Sequence, residues 1–298
     1  MVNEREKISS KIAWISLWSN IFLTVSKLII GLIAGSKALF ADGIHSAADV
    51  VASLAVLFAL RISDKPPDKE HPYGHGKVEV VSSGVVGGIL FLVSVYVFID
   101  AVIAFFKPVE TPKMVAAYVA LFSYILKETL YRYSLGLGEK LNSKALIAIS
   151  LDHKADIIAS LAAALGILVA TGGEWLNLSF LLYGDIIASV IVSYFILKIA
   201  IHMIVEAFHI LLERSVDEEM IRQYREIIMK HKEVKRIDKI RGREHGHYIL
   251  LDLRISVDPS LSIKEGHDVG REIKLELMNR FDNIAEVLVH LNPYDVEW

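Results

Sequence analysis

Two short stretches carry ionisable side chains where long apolar runs surround them. ADGIHSAAD places Asp42, His45 and Asp49 in one run, and SLDHKAD places Asp152, His153 and Asp156 in another. An ionisable group at mid-membrane depth costs about 2.5–3.5 kcal/mol on insertion scales, so each marks a functional site by default. His45 and Asp49 are four residues apart, as are Asp152 and Asp156. On a helix this spacing stacks two side chains on one face, about 6 Å apart along the axis. Two such faces turned toward each other bring one imidazole and three carboxylates to a single point. That set suits a tetrahedral divalent ion, the geometry of Zn²⁺, and three hard oxygens also accept Mn²⁺ or Fe²⁺. No lysine partner is assigned to these acids at their depth. His153 offers an alternative to Asp152 through i,i+3 geometry with Asp156, but Asp152 keeps the i,i+4 register. Asp42, three residues before His45 and seven before Asp49, is expected to share their face, either supporting the ligands from behind or standing at the entry to the site. Asn20 is expected to make an interhelical hydrogen bond. The chain has no cysteine, so thiolate ligands and disulfides are excluded.

The elements that must position these residues are membrane spans. Of 298 residues, 53% are hydrophobic, and the mean hydropathy is +0.44, above the soluble norm. Six stretches are long enough to cross a bilayer, at 12–33, 38–60, 78–106, 114–131, 145–170 and 180–212. Lys127 and Glu128 interrupt the end of the fourth. Lysine and arginine concentrate before the first span and in the second-to-third and fourth-to-fifth connections. Those segments belong on the cytoplasmic side, so both termini are cytoplasmic. The N-terminal stretch carries acids and no small-residue cleavage pattern, so no removable signal peptide is expected. A net charge of -3 supplies no basic field for nucleic acid.

Beyond the last span the pattern becomes that of a soluble domain. The expected division is residues 1–212 as a transmembrane domain and 213–298 as a cytoplasmic one. DEEMIRQYREIIMKHK has helical periodicity, KRIDKIRG and YILLDLRISVD alternate as strands, IKEGHDVGREIKLELMNRF is helical, and AEVLVHLN closes as a strand. The order α-β-β-α-β predicts a small α+β domain with its helices on one face of a short sheet. In the loop DKPPDKEHPYGHGKVE, Pro72 and Gly74 favour a tight turn between His71 and His75. That turn would bring both imidazoles to one ion with Asp68 as a third ligand, against the ordinary alternative of solvated loop histidines. HExxH, GxSxG and P-loop motifs are absent, so hydrolytic and ATP-driven chemistry have no visible machinery.

Taken together, ALFADGIHSAAD, RISDKPPDKEHPYGHGKVE, the acidic i,i+4 pair in the fifth span and the terminal α-β-β-α-β order resemble the cation diffusion facilitator family. HPYGHGK-x-E is the most specific piece. The resemblance implies an α-helical membrane protein with six transmembrane helices plus a cytoplasmic ferredoxin-like, metallochaperone-like C-terminal domain. It implies a homodimer in the lipid bilayer that exports a divalent cation from the cytoplasm in exchange for protons. Zn²⁺ is the first expectation for the transported ion, with Mn²⁺ and Fe²⁺ next, and His45 is the expected proton carrier. A membrane-bound metal sensor without net transport is the competing expectation. By position, His45, Asp49, Asp152 and Asp156 match the transport site, and Asp68, His71 and His75 match a loop site. Lys77 and Glu213 match an ion pair at the ends of the third and sixth spans. His267 and His290 match positions that hold a regulatory metal in relatives, whereas Arg254 and Asn292 stand where further ligands are often found. Asp238, Asp252, His245 and His247 are the candidates to compensate.

Overall fold

The computed structural model describes residues 2–63, 65–140 and 144–294. The chain divides into two compact units, one of Met1–Ala55 with Val85–Met203, the other of Val56–Gly84 with Ile204–Trp298. The last four residues of the expected 213–298 domain lie outside the described residues.

Six long helices carry the apolar runs: α1 (Val2–Ala34), α2 (Lys37–Ser63), α3 (Lys77–Ala104), α4 (Met114–Lys140), α5 (Lys144–Trp175) and α6 (Gly184–Leu211), with a 3₁₀ turn at Ser179–Tyr183. All six contain segments long and apolar enough to cross a membrane. α4 continues past 131, where the sequence reading ends it. Its backbone bonds are satisfied within the helix, so Lys127 and Glu128 need not break it.

In the first unit the usual burial pattern is inverted. Large apolar residues such as Trp18, Phe22, Leu32, Leu92, Phe122 and Leu165 are exposed, as a lipid-facing surface requires. The interior is small and polar instead. Ala34, Ala38, Ala116, Ala117, Ala120, Ala163 and Ala164 pack together around Leu39 and Ile167. Small residues let helix backbones approach, and van der Waals packing then replaces the hydrophobic drive that lipid cannot supply. Gly166 shows how close the approach is, since a Cβ there would sit 2.3 Å from the Cβ of Ala188 on α6. At the start of α2, Asp185 of α6 accepts hydrogen bonds from Ser36 Oγ at 2.6 Å and the Lys37 amide at 2.8 Å. A carboxylate at that position satisfies amides that a helix N-terminus leaves orphaned.

In the second unit, α7 (Glu218–Ile228), β1 (Val234–His245), β2 (Tyr248–Val257), α8 (Ile263–Arg280) and β3 (Ile284–Pro293) give the order α-β-β-α-β. β2 is the central strand, antiparallel to β1 and parallel to β3. The parallel pair needs a crossover, and α8 supplies it. α8 begins with a capping box, in which Ser262 and Glu265 bond each other's amides. The core holds Tyr224, Ile227 and Ile228 of α7, Leu251, Leu253 and Ile255 of β2, Ile273 and Leu277 of α8, and Val287 of β3. It is an ordinary apolar core built for water, unlike the polar interior of the first unit.

Candidate metal centre

α2 and α5 bring together the side chains that their spacing singles out. Ligand-capable atoms of His45, Asp49 and Asp156 all lie within 4.8 Å of one another. His45 Nε2 is 3.7 Å from Asp156 Oδ1. His45 and Asp156 are buried and Asp49 is half-buried. Asp156 Oδ1 has no hydrogen-bond partner among the described residues and is shielded from solvent. A buried carboxylate oxygen without a partner is costly unless something else completes it, and a cation is the natural complement.

Asp152 is not in this group, and its side chain is exposed. His153 is buried and points elsewhere, with its Nε2 2.9 Å from Ser16 Oγ of α1.

The assumption that no lysine reaches these depths is corrected by two buried ammonium groups. Lys127 of α4, 1% exposed, pairs with Asp156 Oδ2 and donates to Asn20 Oδ1 of α1 at 2.6 Å. Asn20 therefore does bridge helices, with a lysine as its partner. Lys27 of α1 lies 2.8 Å from Asp42 Oδ2, with both side chains at 0% exposure. Its Nζ also donates to Ser46 Oγ at 2.9 Å and Ser160 Oγ at 3.0 Å. Asp42 is thus committed to an ion pair one helical turn from His45, rather than standing at an entrance. The signal for both lysines was present, because a lysine inside a span requires a buried acid as partner. Which acid it meets depends on helix packing.

In the second unit the loop after α2 gathers the other predicted cluster. Asp68, His71 and His75 present ligand atoms within 4.8 Å of one another. Asp68 Oδ1 lies 3.4 Å from His71 Nδ1, and Asp68 Oδ2 lies 3.3 Å from His75 Nε2. The turn is made by Gly74 at φ +91°, whose amide bonds His71 O at 2.9 Å. Only glycine adopts that conformation without strain. Asp68 also accepts from the His71 and Glu70 amides. The His71 amide above all holds its carboxyl below the ordinary aspartate range, so it is kept as the anion a metal needs.

Residues 13–212 match the family described as the cation efflux transmembrane domain, and residues 216–294 match the cation efflux protein cytoplasmic domain. The chain belongs to the cation diffusion facilitator family. It is 54% identical over 294 residues to the manganese efflux system protein MneP of Bacillus subtilis, covering 99% of each chain. It is 31% identical over 284 residues to the magnetosome protein MamB of Paramagnetospirillum magneticum, covering 95% of this chain and 94% of that one. Among solved structures, the metal-bound C-terminal domain of the CzcD transporter from Thermotoga maritima aligns at 26% identity and a TM-score of 0.26. That alignment covers 26% of this chain and 93% of that one. As a cation diffusion facilitator the protein is an integral membrane member of a transporter family, not of an enzyme class.

In the terminal domain of this cation diffusion facilitator, His267 and His290 are both exposed, and neither joins a three-ligand group among the described residues. His290 pairs in register with Arg254 across β2 and β3. Both line a cleft with Arg236, Asp238, Lys239 and Asn292. Asp238 is not free to compensate, because it accepts from Ser256 Oγ, Asn292 Nδ2 and Arg236 Nε. His245 stacks on Tyr248, and His247 bonds Ser63 Oγ at 3.1 Å.

Lys77 Nζ meets Glu213 Oε1 at 2.5 Å, and Arg243 Nε lies 3.3 Å from Glu213 Oε2. Burial raises the Glu213 pKa, but Lys77 and Arg243 outweigh it and hold the carboxyl below the usual glutamate range. Glu213 sits just past α6 at φ +65°, and the Arg214 amide closes the turn on His209 O at 3.0 Å. Glycine is the common choice at such a helix end. A glutamate there carries about 1–2 kcal/mol of backbone strain, set against the ion pairs its side chain makes with Lys77 and Arg243. Glu213→Gly relieves that strain whereas Glu213→Ala keeps it, and both lose the ion pair. The glycine variant is therefore expected to melt above the alanine variant in detergent, and the reverse order would show that the turn is unstrained.

Proposed function

We propose that this protein exports a divalent transition-metal cation from the cytoplasm in exchange for protons, with Mn²⁺ ahead of Zn²⁺ and Fe²⁺ as cargo. The observation that carries this reading is the convergence of His45, Asp49 and Asp156 from α2 and α5 within 4.8 Å inside the helix bundle. Asp152, one turn from Asp156, is the proposed fourth ligand, drawn in when the ion is bound. Two or three hard carboxylates with one imidazole favour Mn²⁺ more than a sulfur- or imidazole-rich site would. The likeness to a protein named for manganese efflux supports the same order. Metal binding requires deprotonated ligands, so protons and the cation compete for the same lone pairs. A site that loads on one side of the membrane and is protonated on the other then exchanges the two.

The basic connections support a cytoplasmic position for the loop cluster of Asp68, His71 and His75, both termini and the terminal domain. There the loop cluster serves as a second metal site on the loading side. Residues 1–212 and 213–298 act as transport and terminal domains, and the match of 216–294 to a cation efflux cytoplasmic domain of the dimerising type supports a homodimer. Arg254 brings positive charge beside His290, which opposes a regulatory ion held by His267 and His290.

The test is a competition flux assay in proteoliposomes with Mn²⁺, Zn²⁺ and Fe²⁺ across an imposed pH gradient. Net Mn²⁺ movement that accelerates when the opposite compartment is acidified is the expected result. Metal binding without flux would instead establish a membrane-bound sensor.

A further inference from the structure

Lys127 divides the two oxygens of Asp156 between two tasks. Its ammonium holds Oδ2, while Oδ1 is left without a hydrogen-bond partner and faces His45 Nε2 at 3.7 Å. The ammonium is itself anchored on a second side by Asn20 Oδ1 at 2.6 Å. Lysine and aspartate side chains are 1% and 3% exposed, so water screens neither. Three helices, α1, α4 and α5, thereby fix the orientation of one carboxylate that the cation would use.

The charge count shows what this does to the ion. With His45 neutral, Asp49 and Asp156 contribute two negative charges, and Asp152 makes three if it closes in. A divalent ion would leave that four-ligand site net negative, and tightly held. Adding the Lys127 ammonium makes the occupied site neutral.

We infer that Lys127 is a permanent counter-ion of the cargo site, which orients Asp156 Oδ1 toward the ion and holds the site's affinity down so that the ion is released. The inference rests on the reading of His45, Asp49 and Asp156 as that site. An ammonium hydrogen-bonded to a ligand repels a divalent cation on the same carboxylate, and in a poorly solvated interior this repulsion is worth at least a factor of about ten in affinity. A transporter gains from this, since an ion bound too tightly does not leave.

The test uses the full-length protein with His71 and His75 both changed to Ala, so that loop binding does not mask the membrane site. Mn²⁺ binding is read from the electron paramagnetic resonance signal of the free ion, and flux from proteoliposomes. Lys127→Gln is expected to lower Kd about tenfold, and to lower both the half-saturating Mn²⁺ concentration and the maximal rate of flux. Lys127→Arg keeps the charge and stays near the parent in both. Asn20→Asp offsets the ammonium while leaving Lys127 in place, and tightens binding in the same direction even if Lys127→Gln does not fold. A role limited to packing would not tighten binding, nor would it separate Gln from Arg. Unchanged or weaker binding in Lys127→Gln or Asn20→Asp, or a matching shift in Lys127→Arg, overturns the inference. Asp49→Asn separates the two failures. If Asp49→Asn still binds Mn²⁺ at the parent affinity, the site itself is wrongly placed and the inference falls with it. If Asp49→Asn loses binding while Lys127→Gln leaves it unchanged, only the counter-ion role is lost.

Discussion

Asp49→Asn is expected to reduce Mn²⁺ flux in proteoliposomes by at least about 100-fold, to the level of protein-free vesicles. The substitution keeps the size and shape of the side chain and removes one negative charge from a cluster of three ligands. Loss of a partner that merely supports a ligand already costs about 10- to 100-fold in metal affinity, and loss of the ligand costs more. Asp49 is half-buried, and no structural ion pair depends on it among the described residues, so the fold is not at stake. Size-exclusion behaviour in detergent should match the parent. Retained flux in a correctly folded Asp49→Asn protein would exclude this carboxylate from the transport path.

A second large effect is expected from Lys27→Met, this time on stability. Lys27 and Asp42 are fully buried against each other. Ser160 Oγ reinforces the pair by donating to Asp42 Oδ2 at 2.9 Å while accepting from Lys27 Nζ. Asp42 Oδ1 has no hydrogen-bond partner among the described residues. Removing the lysine strands a charge in the bundle interior, at a cost of about 3–5 kcal/mol. Replacing both members with apolar residues strands nothing, so Lys27→Met/Asp42→Leu should recover most of the loss. A double-mutant cycle read by thermal melting in detergent separates the cases. Strictly additive losses would mean that the pair is not coupled.

The architecture is legible from the sequence because lipid imposes long apolar runs, and because the terminal segment reverts to the alternation of a soluble domain. Spacing likewise placed His45 and Asp49 on one face of α2. It takes both Asp152 and Asp156 as partners of that face, with His153 as the alternative to Asp152. A ligand point requires two helices to meet at one depth, and Asp152 lies a full turn, about 6 Å, further along its axis. Depth matching between helices is a property of packing, not of either sequence segment. The role of Lys127 is hidden for a related reason. Read along the chain it interrupts the end of an apolar run, yet its four-carbon stem lets the ammonium reach Asp156 and Asn20 across three helices. Glu213 was found through family likeness, but the strain at its backbone is visible only in the φ angle.

The most direct measurement is the position of the ion itself. Crystals of the Mn²⁺-loaded protein, measured at the manganese absorption edge, should give an anomalous peak among His45 Nε2, the Asp49 carboxylate and Asp156 Oδ1, with Lys127 still on Oδ2. A peak confined to Asp68, His71 and His75, with none inside the helix bundle of a protein that transports Mn²⁺, would contradict the account.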